Sequence, residues 1–219
     1  MSTSEETNDI DIIPFEARFQ EEVVDIFVSG LSARKDAMGE TVNSYVKMYK
    51  KCKLNQSTGD MLNIWESFMA TNEEDGEREL STCKHFWVAI DKLKQKVVGH
   101  IGVMMSTYDK NDSLIYHQKD LNPLNVCELV RMGVLEEYRQ KRVGTLLFKT
   151  MENYALKKGM KQIVLSTLDQ RTSACRFYEA MGFKLAYKSK LSLEEILGPG
   201  NWEDLFVVHY IKPLLGNVT

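Results

Sequence analysis

The sequence predicts an α/β (α+β) domain, a mixed central sheet of about seven strands flanked by helices. Three observations carry that reading. Helical periodicity dominates up to about residue 70. Short β-branched and aromatic runs, separated by a hairpin loop, begin near residue 85. From Val126 onward strand and helix patterns alternate, ending in a last apolar run at 205–211. Helices, an antiparallel hairpin and then strand–helix–strand–helix–strand together make a sheet with both parallel and antiparallel pairs.

In chain order, residues 1–9 are polar and acidic, read as a disordered tail and neither signal nor transit peptide; residues 10–219 are read as one domain. "DIIPF", 11–15, is a short strand with Pro14 at its edge or end. In "FQEEVVDIFVSGL", Val23, Val24, Phe27 and Val28 recur at helical spacing, and Gly30 marks the end. A long helical region is expected from about Glu40 to Ala70, with a turn at "NQSTG", then a charged loop, "TNEEDGERELS". "HFWVAI" and "KVVGHIGVMM" flank "DKLKQ" as an antiparallel hairpin, and "SLIYHQ" reads as a further short strand. "CELVRMGV" is a clear strand. The helix from Arg142 to Lys158 has Val143, Leu146, Leu147, Thr150, Met151, Tyr154 and Ala155 on one face and ends in Lys157, Lys158 and Gly159. "KQIVLST" is a buried strand, "RTSACRFYEAM" a helix, "FKLAYK" a strand, "LSLEEIL" a short helix and "LFVVHYI" the last strand. Trp65, Trp87 and Trp202 are read as core.

Composition narrows the function. A net charge of −3 gives no whole-molecule attraction to nucleic acid or anionic membrane, so any anion site is local. No run approaches the ~18 apolar residues of a spanning helix. The four cysteines, Cys52, Cys83, Cys127 and Cys175, have no CxxC pair, and the four histidines are scattered. That argues against a metal centre and points to reduced thiols in a cytoplasmic protein. His100 is read as a packed or solvent-facing strand residue.

"LEEYRQKRVGTLL" raises an electrostatic question. It places Arg139, Lys141 and Arg142 at the start of a helix, where the dipole already favours anions. Unpaired N–H groups of a first helical turn after a strand make a phosphate cradle, and the cations would add charge-assisted bonds. Gly144 allows close approach. The plain alternative is a solvated basic turn. A nucleotide kinase is disfavoured because the G-x-x-x-x-G-K-[ST] spacing is missing.

This loop resembles the acetyl-CoA pyrophosphate loop of the GNAT N-acetyltransferase superfamily, R/Q-x-x-G-x-G/A. Arg139 takes its first position, Gly144 its last, and Arg142 stands in place of the middle glycine. "ELVRMGV" before it and "FYEAMGF" after a later strand strengthen the likeness, which is greatest to the camello-like branch. The hydrophobic membrane segment typical of that branch is interrupted here by Lys47, Lys50, Lys51 and Lys53. An arginine at the first helical turn is expected to need no positive φ.

The resemblance implies an acetyl-CoA-dependent N-acetyltransferase of GNAT fold, with no metal and with direct attack of an amine on the thioester. Acetyl-CoA would meet Met132, Gly133 and Val134 on the strand; Arg139, Gln140, Lys141, Arg142, Val143, Gly144 and Thr145 in the loop; and Arg171, where many relatives carry asparagine. Glu128 is the candidate base. Simple alternation places it with Val130, Met132 and Val134, with Arg131 on the opposite face. A strand-end glutamate in solvent or in a salt bridge is the alternative, and groups on the N-terminal helices or a water chain are other sources of a base. Tyr178 is the candidate acid for the leaving thiolate, or simply part of the core stripe. The sheet is expected to splay after Val134. The acceptor is expected to be a small-molecule amine, with a protein lysine or N-terminus second and a non-catalytic acyl-CoA-binding module the rival of another class. No nucleic-acid partner and no membrane-spanning segment are expected, and a homodimer is left open.

Overall fold

The computed structural model of the protein describes residues 9–32, 39–55, 59–70, 83–106 and 125–214. The expected tail apart from Asp9, the charged loop after residue 70 and the strand at "SLIYHQ" lie outside the described residues.

The strands are β1 (Ile10–Pro14), β2 (His85–Asp91), β3 (Lys96–Met105), β4 (Val126–Val134), β5 (Gln162–Leu168), β6 (Lys184–Lys190) and β7 (Phe206–Pro213). The helices are α1 (Gln20–Ser32), α2 (Glu40–Lys53), α3 (Val143–Lys157), α4 (Thr172–Ala180) and α5 (Leu193–Leu197). One seven-stranded sheet runs in the order β1-β2-β3-β4-β5-β7-β6. Every neighbouring pair is antiparallel except β4 and β5. The mixed α/β sheet follows from the sequence pattern: α3 joins β4 to β5 as a crossover, while the β2–β3 hairpin turns at Lys92–Gln95.

Two cores cover the two faces of the sheet. Val143, Leu147, Phe148, Met151 and Ala155 of α3 pack with Cys127, Leu129, Ile163, Leu165 and Tyr210. On the other face Val23, Ile26 and Phe27 of α1, with Met61, Ile64 and Phe68, pack on Phe86, Val88 and Val130. A third cluster joins Val42 and Val46 of α2 to Leu168, Leu193 and Leu205.

Two expectations about elements are corrected. The helix from Glu40 stops at Lys53, just ahead of the expected turn, but beyond that turn the described residues form a single π turn, Trp65–Met69, in place of a second helix. The helix ends because Lys50, Lys51 and Lys53 suit a C-terminal turn and "NQSTG" follows. Trp65 is 46% exposed, whereas Trp87 is buried.

Candidate active site

The site begins with how β4 leaves its neighbours. Its parallel ladder to β5 covers Val126–Glu128 only, paired with Gln162–Val164. On its other edge, His100 faces Gly133 while Gly102 faces Val130. Ile101 therefore stands against both Arg131 and Met132, which is a β-bulge with Arg131 at φ 50°. A bulge increases local twist, and here it turns β4 away from β5. The ladder to β5 ends at Glu128, so the fork opens there and not after Val134 as expected.

The bulge also reverses the alternation. Cys127 and Leu129 face the α3 core, so Glu128 lies on the α1–α2 face with Val130. Beyond the extra residue, Met132 and Val134 pack on the α3 side. Glu128 does not share a face with them. Arg131 joins the Glu128 side instead of opposing it: its Nε donates to Asp60 Oδ2 at 3.0 Å, its Nη2 to the same oxygen at 2.8 Å, and its Nη1 to Tyr49 OH at 2.6 Å. The guanidinium also lies 5.7 Å from the Tyr49 ring centre, and Lys53 caps that ring at 5.5 Å.

These neighbours compete over Glu128. Burial raises its pKa above the ordinary carboxylate range, while the charges of Arg131 and Lys53 pull it down; burial wins. Asp60 accepts from both Nε and Nη2 of Arg131, which blunts the cation next to Glu128. Burial likewise raises Tyr49 and lowers Lys53.

The loop after β4 is pinned by Tyr138, which is buried, donates to Asp91 Oδ2 at 2.6 Å and accepts from Lys94 Nζ at 2.9 Å. Arg139 Nε folds back to the Val134 carbonyl at 3.2 Å, and Lys141 lies 5.6 Å from the Tyr138 ring. Gln140 has φ 64°, and Arg142 is the N-cap of α3 at φ 60°, ψ 3°. The expectation that Arg142 needs no positive φ is therefore wrong. It sits before the first helical turn, in the left-handed conformation that a glycine takes without steric cost.

No side chain caps the α3 N-terminus. The first helix bond closes from Leu146 N–H to the Arg142 carbonyl, so the N–H groups of Val143, Gly144 and Thr145 face outward at the positive end of the dipole. This uncapped turn fits a phosphate group. A Cβ on Gly144 would lie 3.3 Å from Met132 Cε and 3.3 Å from Phe177 Cε2, so the glycine lets loop, strand and α4 meet. Arg142, Thr145, Leu146 and Lys149 line a pocket of about 290 Å³ beside the turn.

Arg171 is the N-cap residue of α4 and is half-buried, with its charge disfavoured by burial and felt by Tyr178, Tyr49, Arg139 and Tyr45. It thus connects the predicted loop with the Glu128 side. Tyr178 packs among Phe177, Phe183 and Tyr210, and burial raises it to about 12. Among the described residues no group of three or more His, Cys, Asp and Glu side chains could hold a metal ion, and no helix is long and apolar enough to cross a membrane.

The structure brings Met132, Gly144 and Phe177 into one junction, and Glu128 and Arg131 into another, on opposite faces of the fork. Sequence reasoning missed Tyr49, Asp60 and Lys53. Tyr45 and Tyr49, four apart in α2 with rings stacked at 6.2 Å, carried a signal as an aromatic pair beside lysines. His100 is fully buried against Phe86, its ring centre 5.6 Å away, and a Cβ on Gly133 would meet its Nε2 at 2.6 Å.

Comparisons with known proteins agree with this geometry. The chain is 34% identical to the camello protein of Xenopus tropicalis, a probable N-acetyltransferase, over 57% of its own length and 45% of that protein. It is 30% identical to the N-acetylaspartate synthetase of Xenopus tropicalis over 57% of this chain and 40% of that one. The chain thus matches less than half the length of these relatives. The Salmonella typhimurium protein yncA, solved with its cofactor acetyl-CoA, superposes with a TM-score of 0.58 at 13% identity and covers 96% of each chain, a likeness of fold. The acetyltransferase (GNAT) family model matches residues 49–183, spanning the fork, the loop and α4. A sheet opened at its one parallel pair, an uncapped helix start beside it and this match over more than half of the sequence place the chain in the acetyltransferase (GNAT) family.

Proposed function

We propose that the chain is an acetyl-CoA-dependent N-acetyltransferase that moves an acetyl group onto the primary amine of a small molecule by direct attack in a ternary complex. The observation that carries this reading is the opening of the sheet after Glu128, with a phosphate-fitting helix start on one side and a carboxylate of raised pKa on the other. The relative from Xenopus tropicalis is an N-acetylaspartate synthetase, which supports a small acceptor.

Each residue then has a task. The N–H groups of Val143, Gly144 and Thr145 hold the pyrophosphate, with Arg139, Gln140, Lys141 and Arg142 around it. The free edge of β4 at Met132, Gly133 and Val134 aligns the pantetheine arm by strand-like bonds and orients the thioester carbonyl. Arg171 holds the pantetheine side of the ligand where α4 begins. Glu128 takes a proton from the acceptor nitrogen, and its raised pKa brings its basicity closer to neutral pH. Tyr178 supplies a proton to the leaving sulfur. Holding both substrates in line provides most of the acceleration, on the order of 7–11 kcal/mol. Residues 10–219 act as one catalytic domain, without nucleic acid, in the cytoplasm, where free cysteines persist.

Arg142 favours a second reading. A strained arginine in the place of the family's loop glycine fits an acyl-CoA-binding module that no longer turns over. Thiol release from acetyl-CoA against a panel of amines and peptides, with thermal shift by CoA, separates the cases. Release with small amines is expected. Release with peptides alone moves the acceptor to a protein lysine or N-terminus. Stabilisation by CoA without release selects the module, and no stabilisation removes both readings.

A further inference from the structure

An amine that arrives as ammonium loses two protons during acetyl transfer. The balance is R–NH3+ plus acetyl-S-CoA giving R–NH–acetyl, HS-CoA and H+. One proton ends on sulfur, and the other must reach water. Glu128 can hold one at a time.

A second proton-handling group lies on the same face of the sheet. Val126 packs with Val164, Tyr187 and Ile211 there, and alternation puts Glu128, Ser166 and His209 on that face as well. Ser166 Oγ is 2.9 Å from His209 Nδ1, and Ser189 Oγ is 2.9 Å from His209 Nε2. The Tyr187 ring stacks on the imidazole at 4.1 Å and 11°. The line crosses three adjacent strands, since Ser166 pairs with His209 and Tyr187 pairs with His209 in the sheet register. Ser166 is exposed although Gln162–Leu165 before it are buried, and it lies two residues past Val164, the last β5 partner of β4. Its hydroxyl therefore stands at the mouth of the fork, on the Glu128 side.

A hydroxyl both donates and accepts, so an imidazole between two hydroxyls can gain a proton at one nitrogen and lose one at the other without moving. Resting on the acetyl-transfer reading above, we infer that Ser166, His209 and Ser189 form a proton relay for the acceptor amine. Ser166 Oγ takes a proton from the acceptor nitrogen as it gives its own to His209 Nδ1. His209 Nε2 passes a proton to Ser189 Oγ, which releases its own towards water. The nitrogen lone pair then forms the C–N bond, the C–S bond breaks, and the sulfur takes a proton from Tyr178. Glu128 takes the second nitrogen proton, and proton exchange with solvent restores Tyr178, Glu128 and the starting tautomer of His209. Ser166 touches the substrate; His209 is a positioning residue that acts through it.

The test uses the full chain, acetyl-CoA and an amine that the wild type acetylates. His209→Gln keeps groups that can bond both serines but cannot carry the proton, and Ser166→Ala removes the contact. Both are expected to lower kcat, His209→Gln by about 100-fold, with KM for acetyl-CoA unchanged. His209→Ala is expected to regain rate with added imidazole, which a purely structural role would not produce. Wild-type kcat in both His209→Gln and Ser166→Ala overturns the relay. If His209→Ala does not fold, those two variants decide. Turnover by the wild type with unaffected variants removes the relay alone, whereas CoA binding without any turnover removes the transfer reading with it.

Discussion

On one side of the β4–β5 fork the site stands on regular elements; on the other it depends on one cation bound from far along the chain. The side proposed to hold phosphate consists of the first turn of α3, the start of α4 and a glycine that lets them touch, all within 45 residues of Met132 in sequence. The Glu128 side is tied by Arg131 to Asp60 and Tyr49, contacts that span 71 and 82 residues. A helix start keeps its shape through many local bonds, whereas a long-range ion pair fails when either partner is lost. The phosphate side should therefore tolerate substitution, and the Glu128 side should not.

The sharpest way to break this contrast is Arg131→Met. It leaves Asp60 largely buried without its partner, and a loss of about 3–5 kcal/mol in urea unfolding is expected. A loss under about 1 kcal/mol would erase the difference between the sides. His100 tests the bulge from beneath. Burial holds its pKa at about 4, below the ordinary value of 6.5. Its contribution is thus fully present above about 6.5 and is lost as pH falls towards 4. Roughly 3 kcal/mol of acid sensitivity should disappear from the pH–stability curve of His100→Phe.

Glu128→Gln addresses chemistry in place of anchorage. A fall of about 100-fold in kcat/KM is expected, with loss of an acid limb that lies above the ordinary carboxylate range. The raised pKa gives the opposite sign for stability: ionisation of the buried carboxyl costs more as pH rises through its folded value, so the Gln variant should be the more stable at neutral pH. An unchanged pH–rate profile would take Glu128 out of the base role. The smallest effect belongs to the phosphate side. Arg142→Gly relieves a left-handed arginine, and thermal melting should show a gain of about 1 kcal/mol.

The same contrast explains what the sequence disclosed. The mixed sheet, α3 and α4 were legible because their apolar positions repeat at 3.6 or 2, and the loop was legible because cations crowd a helix start. Glu128 was singled out by its place on a strand, but its neighbours were misplaced. Alternation assumes one residue per step, and at Arg131 two residues stand against Ile101. Nothing in "LVRMG" announces that extra step, since arginine is not a residue that favours φ 50°. Asp60 and Tyr49 were invisible for another reason: an ion pair across 71 residues leaves no local period. His209 is one of four scattered histidines until the sheet register puts serines on both sides of it.

The bulge gives β4 two reading frames. Up to Val130 the frame turns Glu128 to the α1–α2 face; after Arg131 it turns Met132 and Val134 to the α3 face. Deleting a single residue there would merge the frames and swing Met132 away from Gly144, even if every remaining side chain kept its identity. In this strand the number of residues is inherited information as much as their kind, and descendants of this chain should vary in side chains at Val130–Gly133 more readily than in length.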